Sequence, residues 1–178
     1  MKTSLLISSA ILLMAWNNSS KNNVNHRIAD ENSTSDGTIS FKVNGVQVKT
    51  SGFNISLFSM GGQHGVNVTS NMHEDARTVN INVNALKPGT YPFKHGLGTY
   101  KTAGVAYGTY RPDYLKKMMD FYSFESGEFT IISIDTTAHT FTATFSGKVK
   151  NTKGVQFEIT EGKVSTTKLK ATQTGPIH

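Results

Sequence analysis

Phe129-Thr130-Ile131-Ile132-Ser133-Ile134, a polar step from Asp135 to His139, and Thr140-Phe141-Thr142-Ala143-Thr144-Phe145-Ser146-Gly147-Lys148-Val149 decide the fold. Apolar and polar residues alternate in both runs. Successive side chains of a strand point to opposite faces, so a period of two predicts a strand with one buried and one solvated face. Two such runs joined by a short polar step predict an antiparallel hairpin. Towards the C-terminus, Asn151-Thr152-Lys153-Gly154 predicts a turn into Val155-Gln156-Phe157-Glu158-Ile159, and Glu161-Gly162 a further turn into Lys163-Val164-Ser165-Thr166. Towards the N-terminus the alternation returns in Thr38–Val43 and Val46–Lys49. Asn44-Gly45 lies between them, and both residue types tolerate the positive φ of a two-residue hairpin turn. Phe53–Phe58, Val66–Thr69 and Val79–Asn84 continue the pattern. Lys87-Pro88-Gly89 places Pro and Gly where a type II turn wants them, ahead of Thr90–Phe93.

About ten short antiparallel strands with polar outer faces predict an all-β domain over residues 38–171, an antiparallel β-sandwich, with a barrel as the other way to close such a chain. Phe41, Val43, Ile55, Val68, Ile81, Val83, Ile131, Phe141, Phe145, Phe157 and Ile159 are its expected core. From His95 to Tyr114 the chain is rich in Gly, Thr and Tyr. A strand is expected over Gly104–Tyr110 and a short helix over Arg111–Met119, where Tyr114, Leu115, Met118 and Met119 share one face.

The ends read differently. Lys2, then Leu5-Leu6-Ile7 and Ile11 to Ala15, has the layout of a signal peptide over residues 1–15 and is short for a permanent span. Residues 16–37 hold little to bury and are expected to form a flexible polar tether, and residues 172–178 a tail. The expected location is therefore outside the cytoplasm: periplasm, cell surface or medium. There is no cysteine, so no disulfide contributes and stability must come from a core. The net charge is +6. The C-terminal lysines are dispersed and unaccompanied by arginine clusters, which suits protected strand edges better than a nucleic-acid surface.

Gly127-Glu128-Phe129-Thr130-Ile131, Ile134-Asp135, Phe141 to Ser146 and Ile159-Thr160-Glu161-Gly162-Lys163 resemble the C-terminal half of a family of small Bacteroidota cell-envelope lipoproteins and secreted all-β proteins of unknown function. The similarity runs loosely over residues 38–167. It implies an exported all-β domain of a Gram-negative envelope and carries over no catalytic residue. Two positions depart from the family: Ala143 stands where glycine is common, and Trp16 where a lipidated cysteine is expected. An indole cannot carry the thioether-linked lipid, so no anchor is expected at residue 16.

Few residues suggest chemistry. The histidines are His26, His64, His73, His95, His139 and His178, and none are spaced as metal ligands, with no cysteine to complete a set. Neither a metal nor a cofactor is expected. The carboxylate pairs Glu74/Asp75, Glu125/Glu128 and Glu158/Glu161 lie near turns, no G-x-S-x-G occurs, and Gly61-Gly62-Gln63-His64-Gly65 lacks the G-K-[ST] of a phosphate loop. A non-enzymatic binding module for glycan or envelope protein is the leading expectation, with Tyr107, Tyr110 and Tyr114 as its candidate ligand-binding face. The alternatives are a lipocalin-like carrier of an apolar ligand, and a hydrolase of an envelope polymer using Glu125 or Glu128 as an acid.

Overall fold

The computed structural model describes residues 37–171 apart from Ser51, Gly61, residues 71–76 and Met118. The expected signal, nearly all of the expected tether, the tail, His73 and the Glu74/Asp75 pair lie outside the described residues. The fold is all-β. Its strands are β1 (Gly37–Val43), β2 (Val46–Thr50), β3 (Phe53–Met60), β4 (Gln63–Ser70), β5 (Thr78–Val83), β6 (Gly89–Pro92), β7 (Ala106–Arg111), β8 (Tyr122–Asp135), β9 (Thr140–Lys150), β10 (Gln156–Thr166) and β11 (Lys170–Ala171). A single 3-10 turn, Thr99–Lys101, lies between β6 and β7.

All the strands belong to one hydrogen-bonded sheet, in the order β11-β3-β4-β5-β7-β8-β9-β10-β1-β2, with β6 also paired to β8. Every pairing is antiparallel except β11 with β3. Among the described residues the second, separate sheet expected of a sandwich is not seen. Instead the sheet curls into an open half-barrel. Phe41 on β1 and Tyr110 on β7 are four strand spacings apart along the sheet, about 19 Å if it were flat. Their rings meet edge to face with centroids 6.3 Å apart. Phe157 on β10 reaches the same tyrosine at 5.7 Å. The curl also shows in the chain itself: β2 ends at Thr50 and β3 begins at Phe53, yet these strands lie near opposite ends of the pairing order. Three Cα steps span at most about 11 Å, so the two sides come together there. No pairing joins β2 to β3 or β11 among the described residues, and the barrel stays open.

Bulges and glycines make the bend. The register shifts between Phe124 and Ser126, Ile131 and Ser133, Ile159 and Gly162, and Ser40 and Lys42. An extra residue in one strand increases local twist and curves the sheet. Glu161-Gly162 is one of these bulges and not the expected turn. Glu161 adopts φ 52°, and β10 continues through it because β9 offers Phe145 opposite Gly162. A Cβ at Gly162 would run into the Phe145 ring and carbonyl, so only glycine lets the ring lie against the backbone there.

The hairpin turn at Asn44-Gly45 forms as expected, with φ 47° and 81°. Gly89 has φ 152°, outside the type II range, and it starts β6. The helix expected over Arg111–Met119 does not form. Arg111 is taken into β7, and beyond it lie two short turns, in which the Lys117 N–H donates to the Asp113 carbonyl and the Asp120 N–H to the Lys117 carbonyl, both at 2.9 Å. Single turns of this kind gain little against helix nucleation. At the β8–β9 turn the Asp135 carboxylate accepts from the backbone N–H groups of Ala138 and Thr137, both at 2.8 Å, which holds its pKa below the usual value.

Ten of the expected core residues are buried, and Phe157 sits half-buried at the core margin. Tyr110, Tyr122, Phe124 and Phe129 join them. Phe41 touches both Tyr110 and Phe145, the latter at 6.0 Å, and thus packs two parts of the curled sheet onto one another. Phe41→Ala should cost about 3–5 kcal/mol. A fall in the urea midpoint at unchanged slope is the expected result, and a loss under about 1 kcal/mol would contradict the cross-sheet packing.

Candidate functional site

Strand parity decides what each side chain can reach. On β7, Ala106 and Tyr110 are buried, so Tyr107, Thr109 and Arg111 take the outer face. Tyr107 and Tyr110 are three residues apart and therefore point to opposite sides. Tyr110 is 2% exposed and belongs to the core. Tyr114 lies in the β7–β8 connection beneath the Arg111 guanidinium, 5.4 Å from its ring centroid. The three tyrosines do not share a face. Tyr107 is half-buried, its hydroxyl has no hydrogen-bond partner among the described residues, and burial pushes its pKa up.

Beside Tyr107 the outer face of β4 and β5 carries a closed ring of side-chain hydrogen bonds. Asn67 donates to Asn82 at 2.9 Å, Asn82 to Asn80 at 3.4 Å, Asn80 to Thr69 at 2.9 Å, and Thr69 back to Asn67 at 2.9 Å. The register creates it, since Asn67 pairs with Asn82 and Thr69 with Asn80. Each amide and hydroxyl is locked by its neighbour, so the face is polar and ordered at once.

A second polar surface spans β8, β9 and β10. Thr130 stands opposite Thr144, Glu128 opposite Ser146, and Lys163 opposite Thr144 on the other side. With Glu161 they line a shallow groove of about 250 Å³ whose floor includes Phe145 and Gly162. The bulge shapes the groove: Glu161 stands exposed at φ 52°, and Gly162 beside it lets the Phe145 ring lie against the backbone. Lys42 forms an ion pair with Glu161 at 2.6 Å. Thr90 and Thr130 share a hydrogen bond at 3.0 Å along one rim.

The carboxylates considered for acid catalysis, Glu125 and Glu128, are both exposed, as is Glu161. His64 and His95 are exposed, and His139 places Nδ1 3.1 Å from the Leu169 carbonyl. Among the described residues no group of three His, Asp or Glu side chains converges as a metal set would. No helix of the described residues is long and apolar enough to cross a membrane.

The groove residues Thr130, Thr144, Ser146 and Lys163 were not among the candidates read from sequence. Each is visible there as the polar half of an alternating strand. Their convergence depends on register and on one bulge, neither of which a single strand encodes. No family model, curated protein or solved structure matches this chain.

Tyr107→Phe removes a buried hydroxyl that has no partner, so stability should be unchanged or raised. Thermal denaturation checks this: a loss above about 1 kcal/mol would show that the hydroxyl is bonded after all.

Proposed function

We propose that this chain is an exported, non-enzymatic envelope β-domain that binds a polar polymer, a glycan, on its outer face. One observation carries the proposal: the groove of Glu128, Thr130, Thr144, Ser146, Glu161 and Lys163, held on three adjacent strands. Hydroxyls, carboxylates and an ammonium there combine donors and acceptors within a short distance, which suits a ligand rich in hydroxyl groups. At about 250 Å³ the groove is smaller than a typical drug-sized pocket and open to solvent. It fits one unit of a longer chain better than an enclosed small molecule. The export signal and the resemblance to envelope proteins supply the setting.

Against a lipocalin-like carrier stands the filled concave side. Phe41, Phe129, Phe141, Phe145 and Tyr110 are at most 3% exposed and touch one another where an apolar ligand would sit. We read the folded-over sheet as equivalent in its packing to a sandwich, two sides pressed on a shared core, with function left to the outside. Protein recognition is the second reading, favoured by the hydrogen-bonded amide face of β4 and β5, where an ordered polar surface needs no rearrangement to dock.

Ser146→Arg puts a long side chain into the groove from the solvent face, where it disturbs no core contact. Glycan-array and calorimetric binding should fall at least about tenfold in this variant at unchanged melting temperature. A parent protein that binds no envelope glycan, or a variant that binds equally well, would overturn the proposal.

A further inference from the structure

The β6–β7 loop is built as a surface contact and shares no residue with the groove or the amide ring. Asn84, buried at the end of β5, holds it. Its side-chain amide donates to the carbonyls of Thr99, Tyr100 and Thr102 at 3.2, 3.2 and 2.7 Å. Its backbone carbonyl accepts from Gly104 and its N–H donates to Val105. The neighbouring turn is pinned too, because the Tyr91 hydroxyl donates to the Lys87 carbonyl at 2.7 Å. A loop fixed by this many bonds still leaves Leu97 109% exposed, between Gly96 and Gly98, both at positive φ. Tyr100, three residues on, and Leu86, in the β5–β6 turn, are exposed as well, each at 38%. Lys101 lies over the Tyr100 ring, 5.5 Å from its centroid.

Charge tells what such a loop meets. From Asn84 to Val105 the chain carries Lys87, Lys94 and Lys101 and no carboxylate. Strand pairing brings one carboxylate to the foot of the loop, Glu128 opposite Pro92, against these three lysines. An exposed apolar tip on a segment that carries lysines and no carboxylate fits an interface with an apolar interior and an anionic rim. Tyrosine favours the same boundary, and lysine stems lie along it with their charges outward. The apolar tip is far too small for a stable protein interface, which buries upwards of about 1,000 Å².

We propose that the β6–β7 loop docks on an anionic phospholipid surface, with Leu97 and Tyr100 entering the headgroup boundary and Lys87, Lys94 and Lys101 facing the phosphates. The test uses the full chain with Leu97→Trp in a Trp16→Phe background, leaving one tryptophan at the loop tip. The full chain includes the apolar run at residues 5–15, so the depth of residue 97 is read and not total binding. Vesicles of phosphatidylglycerol with brominated acyl chains should quench this tryptophan, and brominated phosphatidylcholine vesicles should not. Adding Lys87→Glu, Lys94→Glu and Lys101→Glu should weaken the quenching-linked partition by roughly 100-fold or more, at about fivefold per lysine. Circular dichroism identical to the parent verifies folding of both variants. An unquenched tryptophan on a vesicle-bound chain, no vesicle binding at all, equal quenching by both lipids, or quenching indifferent to the lysines would each overturn the proposal. The first of these would leave the loop to a protein partner.

Discussion

Phe41 against Tyr110 is the contact on which the architecture depends. Local hydrogen bonding makes only a ribbon of neighbouring strands, and a ribbon buries nothing by itself. Bringing β1 over β7 turns one face of that ribbon into an interior. Ile39, Val43, Ile55, Val68, Ile81, Phe129, Phe145 and Ile159 are then all removed from water. The hydrophobic gain scales with the area hidden, so the curl is the step that stabilises the chain. It requires the strands to bend, and the bulges in β8 and β10 with glycines at 127, 147 and 162 let them do so. Without cysteine there is no covalent substitute for this packing.

A filled interior moves recognition outward. The concave side is occupied by aromatic rings, so the distinguishing chemistry lies on the convex side and at the loop end. The same bulge that bends β10 shapes the groove beside Phe145, so curvature and candidate binding surface share one cause. The amide ring on β4 and β5 is a second instance. Polar residues that would otherwise be loosely solvated are fixed by the register that the core imposes. The loop at Leu97 is different, since a single buried asparagine orders it and not the sheet.

Much of this was legible in the sequence, for physical reasons. Alternation identifies inward positions, and Phe41, Ile81, Phe141 and Phe145 are buried as alternation requires. Asn44-Gly45 announces its turn because few residue pairs tolerate two positive φ angles in succession. Glu161-Gly162 misleads by the same chemistry: a turn and a bulge both need a residue with positive φ, and only the partner strand distinguishes them. Tyr107 and Tyr110 mislead through parity. In a stretch of Gly, Thr and Tyr nothing marks which tyrosine faces in, and the answer comes from pairing β7 with β5, where Val79 meets Tyr110. The curl of the sheet was not legible at all. Periodicity states which side chains turn inward, but not which distant strand they meet there. The groove obeys the same rule, for Thr130, Thr144 and Lys163 become neighbours only through the register of three strands.

The curl itself is best tested by nuclear magnetic resonance on the folded protein with selectively labelled aromatic rings. Direct cross-relaxation is expected between the rings of Phe41 and Tyr110, and between Tyr110 and Phe157, at centroid separations of 6.3 and 5.7 Å. Intact neighbouring-strand contacts such as Phe41 to Val48 and Val79 to Tyr110, without those two cross-sheet contacts, would show an uncurled sheet and contradict it.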